Sequence, residues 1–453
     1  MATNTLDYDP GFRNGRFRVA WYALLAVLLA VGGWATWRRI SVGMASTNLT
    51  SISPWGAWVA FYIYFVGLSA GAFLVSTLAN VFEVEGLEKI DRDALFAAIV
   101  SMVVALLFVW TDLGRMDRMY HPFLYRQATS ALSWEVHAYV AYIGVLVTEL
   151  YFSMRIDLAR VAEETEGWRA KLCGLLTLGR RETSDESHET DERWLKRAGL
   201  LGIPLAVFMV HGGTGVLFAV AKARPYWNSG LFPVIFVISA VVSGTAMVSA
   251  LYVLRAKLLT GERLDRALMD RLGKLLAGFI AADAAFTAID ALIALNSLHP
   301  HEVETWLIVL FGEMSWSFWW FMVGCGWVLP LILLSKRSWR RSPVPLTAAG
   351  LSVVAGIVAV RFNIVVPPQI LPVMEGLPHG SYFPTAIEWL TSAGMIAVGL
   401  LIYSLGAEVL PLRPLDAPEP TGATGGGGEE NSADQTTPAA ADGGIAETGG
   451  DDR

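Results

Sequence analysis

Ten separate runs of about 20 predominantly apolar residues constrain this chain more than any other feature. At a rise of about 1.5 Å per residue, each run is long enough to cross the roughly 30 Å hydrocarbon core of a bilayer as a helix. They lie at about 19–37, 55–80, 94–111, 133–153, 198–221, 231–254, 275–297, 316–335, 345–365 and 385–408. Inside lipid every backbone polar group must find its partner within the protein, and a run of this length does so as a helix. The predicted fold is therefore an all-α integral membrane protein of about ten transmembrane helices. Composition agrees, with 54% hydrophobic residues and 17% charged, against about 25% charged in ordinary soluble domains. Arg13, Arg16 and Arg18 before the first run, and Gly43-Met44-Ala45 after it, resemble a cleavable leader. The long preceding region and the closing Arg38-Arg39 favour a retained span.

Positive charge sets the expected orientation. With ten spans, 26 of the 34 Lys and Arg residues fall on the side that holds both termini, and 8 on the other. The positive-inside rule then places both termini in the cytoplasm of a multi-pass cell-membrane protein. The net charge of −7 belongs to the end of the chain, because Pro414 to Arg453 carry nine acids and one Arg. Residues 1–413 read as the polytopic membrane domain. Residues 414–453 read as a disordered acidic tail, too poor in apolar residues to offset chain entropy. The charged stretch Arg155 to Arg197 reads as a solvated excursion. Basic residues sit at segment ends rather than on one face, so a nucleic-acid partner is not expected.

The second span carries LSAGAFLVSTL over Leu68–Leu78, and the sixth carries VVSGTAMVSAL over Val241–Leu251. Leu132-Ser133-Trp134 opens the fourth span as Met314-Ser315-Trp316 opens the eighth. The offsets, 173 and 182, differ by one loop insertion. They predict two parallel four-helix bundle repeats, about 55–153 and 231–335, with one N-terminal and two C-terminal spans added. Ser69, Gly71, Ser243 and Gly244 are small enough for close backbone approach. Chance similarity between apolar helices is the plainer alternative.

Ionisable residues inside a span are costly and mark sites or pathways. Here they are Asp112, Glu135, His137, His211, Asp283, Asp290, Arg361 and Glu388, nearly all in the outer half of the expected bilayer, with Glu149 toward the cytoplasmic side. Plainer roles compete with functional ones. Asp112 and Arg115 share a helical face and can pair; Arg361 and Glu388 enter at similar depth and can form an ion pair; His137 and Glu135 can snorkel to water. His211, near mid-membrane beside Gly212-Gly213-Thr214-Gly215, is hardest to dismiss. Trp55, Trp58, Trp134, Trp316, Trp319 and Trp320 suit an interface belt, or a wall for a flat ring. His137 and His211 differ in depth by roughly 10 Å at the helical rise, so they do not suit a bis-histidine haem. Cys173 and Cys325 form no C-x-x-C, so neither an iron–sulfur cluster nor a zinc site is expected in this chain.

Several of these runs together resemble a known family. Phe65 to Ala72 (FVGLSAGA), Thr111 to Arg115 (TDLGR), Thr129 to Trp134 (TSALSW), Pro204 to His211 (PLAVFMVH) and Ala223 to Ser229 (ARPYWNS) resemble the NrfD-like membrane subunits typified by polysulfide reductase. The match is to the ten-span branch found in hydrogenase- and sulfur-metabolism-linked complexes, over about residues 50–335. The resemblance implies a quinone-reactive anchor that exchanges electrons between membrane quinone or quinol (menaquinone or ubiquinone) and an outer-face, four-cluster ferredoxin-like subunit. That subunit in turn serves a catalytic partner, often molybdopterin-containing. By position it implies Tyr62 as a quinone-contacting side chain, Asp112, Arg115, His137 and Tyr139 in the pocket region, and His211 as the fifth-span histidine. The second repeat has Asp290-Ala-Leu-Ile in place of Asp-Leu-Gly-Arg, so the first repeat is the expected active one.

The chemistry needs partners for two ring oxygens and a proton acceptor. His211, Asp112 and His137 are the candidate acid–base groups; Tyr62, Arg115, Trp134, Glu135, Tyr139 and Asp283 are the candidate ring-binding residues. A secondary transporter, or a structural anchor without a working quinone site, remains the alternative from another class.

Overall fold

The computed structural model describes residues 12–374 and 376–415. Among them are ten helices long and apolar enough to cross a membrane: α1 (Gly15–Ser46), α2 (Ala57–Asn80), α3 (Asp91–Asp112), α4 (Ala131–Glu164), α5 (Asp185–Ala219), α6 (Phe232–Thr260), α7 (Arg266–Asn296), α8 (Ser317–Ser335), α9 (Pro343–Ile370) and α10 (Ala386–Val409). No strand occurs among the described residues. The acidic tail read from the sequence lies, from residue 416 onward, outside them.

The spans match the apolar runs closely, but α4 and α5 run far beyond them. This corrects the reading of Arg155–Arg197 as a solvated excursion. α4 continues to Glu164, a helix covers Trp168–Leu176, and α5 starts at Asp185, capped by the Ser184 side chain. Arg155 is buried here and donates through Nε to Asp191 Oδ2 at 2.5 Å, and to the carbonyls of Arg180 and Glu182. Similar pairs join the other connections on the side of the termini: Arg92 with Asp157 at 2.6 Å, Arg340 with Asp270 at 2.9 Å, and Arg255 with Asp93. Four of the 26 basic residues counted on that side are thus paired inside the protein.

α2 is the central helix, with 89% of its apolar window buried against 17% for α1 and for α7. It packs on α3, α6 and α9. Without a hydrophobic drive between helices in lipid, such packing depends on close backbone approach. A Cβ on Gly71 would collide with the Ala240 carbonyl and lie 2.9 Å from Gly244 Cα. The two matching sequence motifs therefore touch each other at the centre of the bundle.

α5 is not a regular helix. Pro204 has no N–H to donate, and the following seven residues, Leu205–His211, widen into a π-helix before α-helix resumes at Gly212–Ala219. A Cβ on Gly212 would run into the Val207 carbonyl, so the widened turn closes on a glycine. Single-turn π segments recur at functional sites. Here the segment ends on His211, with Thr214 following, and both are buried.

The opposite end is clamped by the Ala223–Ser229 loop. Arg224 donates to the carbonyls of Pro368 at 2.8 Å, Leu371 at 2.6 Å and Ile52 at 3.1 Å, and Trp227 Nε1 donates to Ile364 O at 2.8 Å. This run, quoted above as part of the family resemblance, here ties three connections together.

Candidate functional site

Three helices bring a carboxyl group and three hydroxyl groups together inside the bundle. Glu135 and Tyr139 are four residues apart on α4 and so share a face; Tyr62 comes from α2 and Thr214 from the end of α5. Glu135 Oε1 accepts from Tyr62 at 2.8 Å, from Tyr139 at 2.5 Å and from Thr214 at 2.6 Å. The Tyr62 and Tyr139 hydroxyls lie 2.8 Å apart, and Tyr139 and Thr214 lie 3.1 Å apart. Thr214 is also 2.9 Å from the Val210 carbonyl. All four residues are at most 8% exposed.

Six contacts thus share three hydroxyl protons, so the network can switch among donor patterns without moving heavy atoms. Glu135 Oε2 is different: it is buried and has no hydrogen-bond partner. An unpaired buried carboxylate oxygen is costly unless something binds it or it takes a proton. A proton on Oε2 leaves all three bonds to Oε1 in place.

A second cluster lies next to the first. His211 precedes Thr214 by three residues, and both ring nitrogens of this buried imidazole lack partners. Gly67, five residues beyond Tyr62 on α2, makes the room: a Cβ there would lie 3.2 Å from His211 Cε1 and 3.2 Å from Arg361 Nη2. Arg361 donates to Ser239 Oγ at 3.1 Å and lies 5.0 Å from the Phe236 ring centroid. Phe236 in turn packs at a tilt against the His211 ring, with centroids 5.5 Å apart. Asp283 accepts from Trp327 Nε1 at 3.0 Å and is the carboxylate facing Arg361. Glu388 does not pair with Arg361, contrary to the expectation from depth. It accepts from Tyr382, from the Asn48 amide at 3.2 Å and from the Thr385 amide at 2.9 Å as part of a capping box. Equal depth does not make two residues face each other.

The other sequence candidates stand apart from Glu135. Asp112 and Arg115 do not pair, because α3 ends at Asp112 and Leu113 is extended at φ −63° and ψ 125°. The helical three-residue spacing is lost there. Arg115 is exposed and bonds Asp117 at 3.2 Å, holding that carboxyl below its usual range. Asp112 is faced by Arg39 and Glu388, and its Oδ1 has no partner. Arg39 lies 5.6 Å from the Trp58 ring centroid, one turn of α2 before Tyr62. His137, two residues from Glu135, points to another side of α4; its Nδ1 sits 2.7 Å from Ser133 O and its ring packs on Phe123. Trp134 is 44% exposed, donates to Ala128 O at 2.7 Å and carries Arg126 over its ring at 4.4 Å. Trp58, by contrast with the other belt candidates, is buried.

Thr214 was not singled out from the sequence. Its signal was present: a hydroxyl between two glycines, one turn after His211.

These features define a membrane protein with ten candidate spans among its described residues and a buried carboxyl–hydroxyl centre beside a buried histidine. The chain belongs to the NrfD polysulphide reductase family, which it matches over residues 45–373. It is 39% identical over 405 residues to a selenate reductase subunit of Mesobacillus selenatarsenatis, covering 86% of this chain and 94% of that protein. It is 26% identical to the Hdr-like menaquinol oxidoreductase integral membrane subunit of Archaeoglobus fulgidus, over 88% of this chain and 96% of the relative. It is 24% identical to the menaquinone reductase integral membrane subunit of Nitratidesulfovibrio vulgaris, over 88% and 92%.

Proposed function

We propose that this chain is the membrane anchor and quinone-reactive subunit of a multisubunit oxidoreductase, with Glu135 as the proton-exchanging group. The observation that carries the reading is Glu135 Oε2, buried and unpartnered while Oε1 holds three hydroxyls. Two relatives are named for menaquinol or menaquinone, and a third for selenate reduction.

Oxidising a quinol releases two electrons and two protons; the electrons go to the partner's iron–sulfur clusters. Within this chain, Oε2 of Glu135 accepts one of the protons. The Tyr62, Tyr139 and Thr214 hydroxyls hold the carboxyl group in place and can turn one O–H toward a ring oxygen. His211, beside Thr214 on the same helix, is a further candidate base. In the reverse direction the same groups supply the protons. The partners are a four-cluster ferredoxin-like subunit at the end away from the termini and a catalytic subunit, such as a molybdopterin enzyme, beyond it. Both termini face the cytoplasm in this arrangement.

The test is quinol-linked turnover of the assembled complex carrying Glu135→Gln. The amide keeps an oxygen for the three hydroxyls but cannot take the proton, so turnover falls by roughly 10²-fold or more, the usual scale for a positioned acid or base. Activity with a soluble electron donor, which bypasses this subunit, stays unchanged. Full quinol-linked turnover in Glu135→Gln contradicts the assignment.

A further inference from the structure

The second half of the bundle holds a small cleft that is partly open to the outside. It lies between α6, α7, the short helix Pro300–Phe311, α8 and α9. Its walls are largely aromatic and apolar, including Phe232, Phe236, Phe318 and Met322. Two polar side chains in those walls carry a buried atom without a partner: the Trp306 Nε1 donor and the Asn363 Oδ1 acceptor. Each residue is 3% exposed. Thr287 and Asp290, three apart on α7, add a hydroxyl and a carboxyl group. Tyr226, in the loop before α6, also lines the cleft; burial and the nearby Asp290 push its hydroxyl pKa up, so it stays a donor.

The repeat register relates this cleft to the Glu135 centre. Offsets of 173 and 182 put Ile235, Ser317 and Phe321 where Tyr62, Glu135 and Tyr139 stand in the first half. The matching helix pair therefore lacks the two hydrogen-bonded phenol rings, and the space beside it is open. The cleft also abuts the histidine cluster, because Phe236 lines it while packing at a tilt against His211 at 5.5 Å.

We infer that this cleft is a second binding site for a quinone-class ring, separate from the Glu135 centre. A flat ring fits aromatic walls, its carbonyl oxygen can accept from the Trp306 N–H, and in the quinol form a hydroxyl can donate to Asn363 Oδ1. A lipid acyl ester has a carbonyl oxygen but neither the flat ring nor the hydroxyl donor. The inference goes beyond the proposed function and shares with it only the class of ring.

The experiment is photolabelling of the purified full-length protein in lipid nanodiscs, with an azido-naphthoquinone and, in a parallel arm, an azido-benzoquinone, followed by peptide mapping. Saturable label in peptides covering 300–328 is expected with at least one ring, displaced by the unlabelled quinone but not by added phospholipid. Trp306→Phe and Asn363→Leu should each weaken that labelling by about 5- to 10-fold, the scale of one lost hydrogen bond. Label in peptides covering 57–80 and 131–164 should be unaffected. Competition in the wild-type protein keeps the test valid if a variant fails to fold. Label confined to the latter peptides overturns the second site and leaves the Glu135 centre standing. Label confined to 300–328 supports the second site and removes the first. No saturable label, or label displaced equally by phospholipid, overturns the inference.

Discussion

Two glycines one turn apart on α2 should respond very differently to the same substitution. At Gly71 an added Cβ would collide with the Ala240 carbonyl oxygen and lie 2.9 Å from Gly244 Cα. Both are backbone atoms of α6, which cannot swing aside. Restoring ordinary contact with that oxygen separates α2 and α6 by roughly 1.5 Å, and a gap of that size forfeits about half or more of the dispersion attraction across it. Gly71→Ala should therefore cost roughly 3 kcal/mol or more, the upper end for overpacking. At Gly67 the neighbours are the ends of two side chains, His211 and Arg361, each at 3.2 Å. A shift of roughly 0.3 Å relieves both, at about 1 kcal/mol. The assay is the yield of monodisperse protein after heating, followed by quinol-linked turnover of the complex. Gly71→Ala should lose the folded peak, whereas Gly67→Ala should keep it and change turnover through the displaced imidazole and guanidinium. Equal stability of the two variants would refute the packing argument; unchanged turnover in Gly67→Ala would remove His211 and Arg361 from the working site.

Tyr62→Phe removes one of three donors to Glu135 Oε1 and should cost about 1 kcal/mol of thermal stability while reducing quinol-linked turnover less than Glu135→Gln does. Asp112→Asn should leave turnover within about threefold, since a positioned base is worth far more and Asp112 faces Arg39 rather than Glu135; a 10²-fold loss would move the site toward α3. Asp191→Ala leaves Arg155 buried and uncompensated, so unfolding measurements should register a loss of roughly 3–5 kcal/mol with turnover per assembled complex unchanged.

The spans were legible because bilayer thickness fixes helix length, and the boundaries of α2, α3, α8 and α10 follow the apolar runs within a few residues. Where the chain leaves the apolar layer, that signal stops. Arg155 and Asp191 read as solvent-facing charges, yet their pairing across α4 and α5 buries both. The candidate site was legible in part. Tyr62, Glu135 and Tyr139 were named and do meet, and His211 lies beside them. His137 and Trp134 were placed by their depth in α4, but depth carries no information about which side of the helix a residue faces. The pairings drawn for Asp112 and Arg361 failed for related reasons: one assumed a helix that ends, the other a facing that depth alone does not provide. Arg361 proved to be the cation beside His211, through a gap that Gly67 leaves open.

Redox-induced infrared difference spectroscopy on the complex reads the proton on Glu135 directly. Oxidising the quinol should produce a protonated-carboxyl stretch that shifts in deuterated water, persists in Asp112→Asn and is missing from Glu135→Gln. The same band surviving unchanged in Glu135→Gln would mean that the proton goes elsewhere, and that this carboxyl group is not the reacting centre.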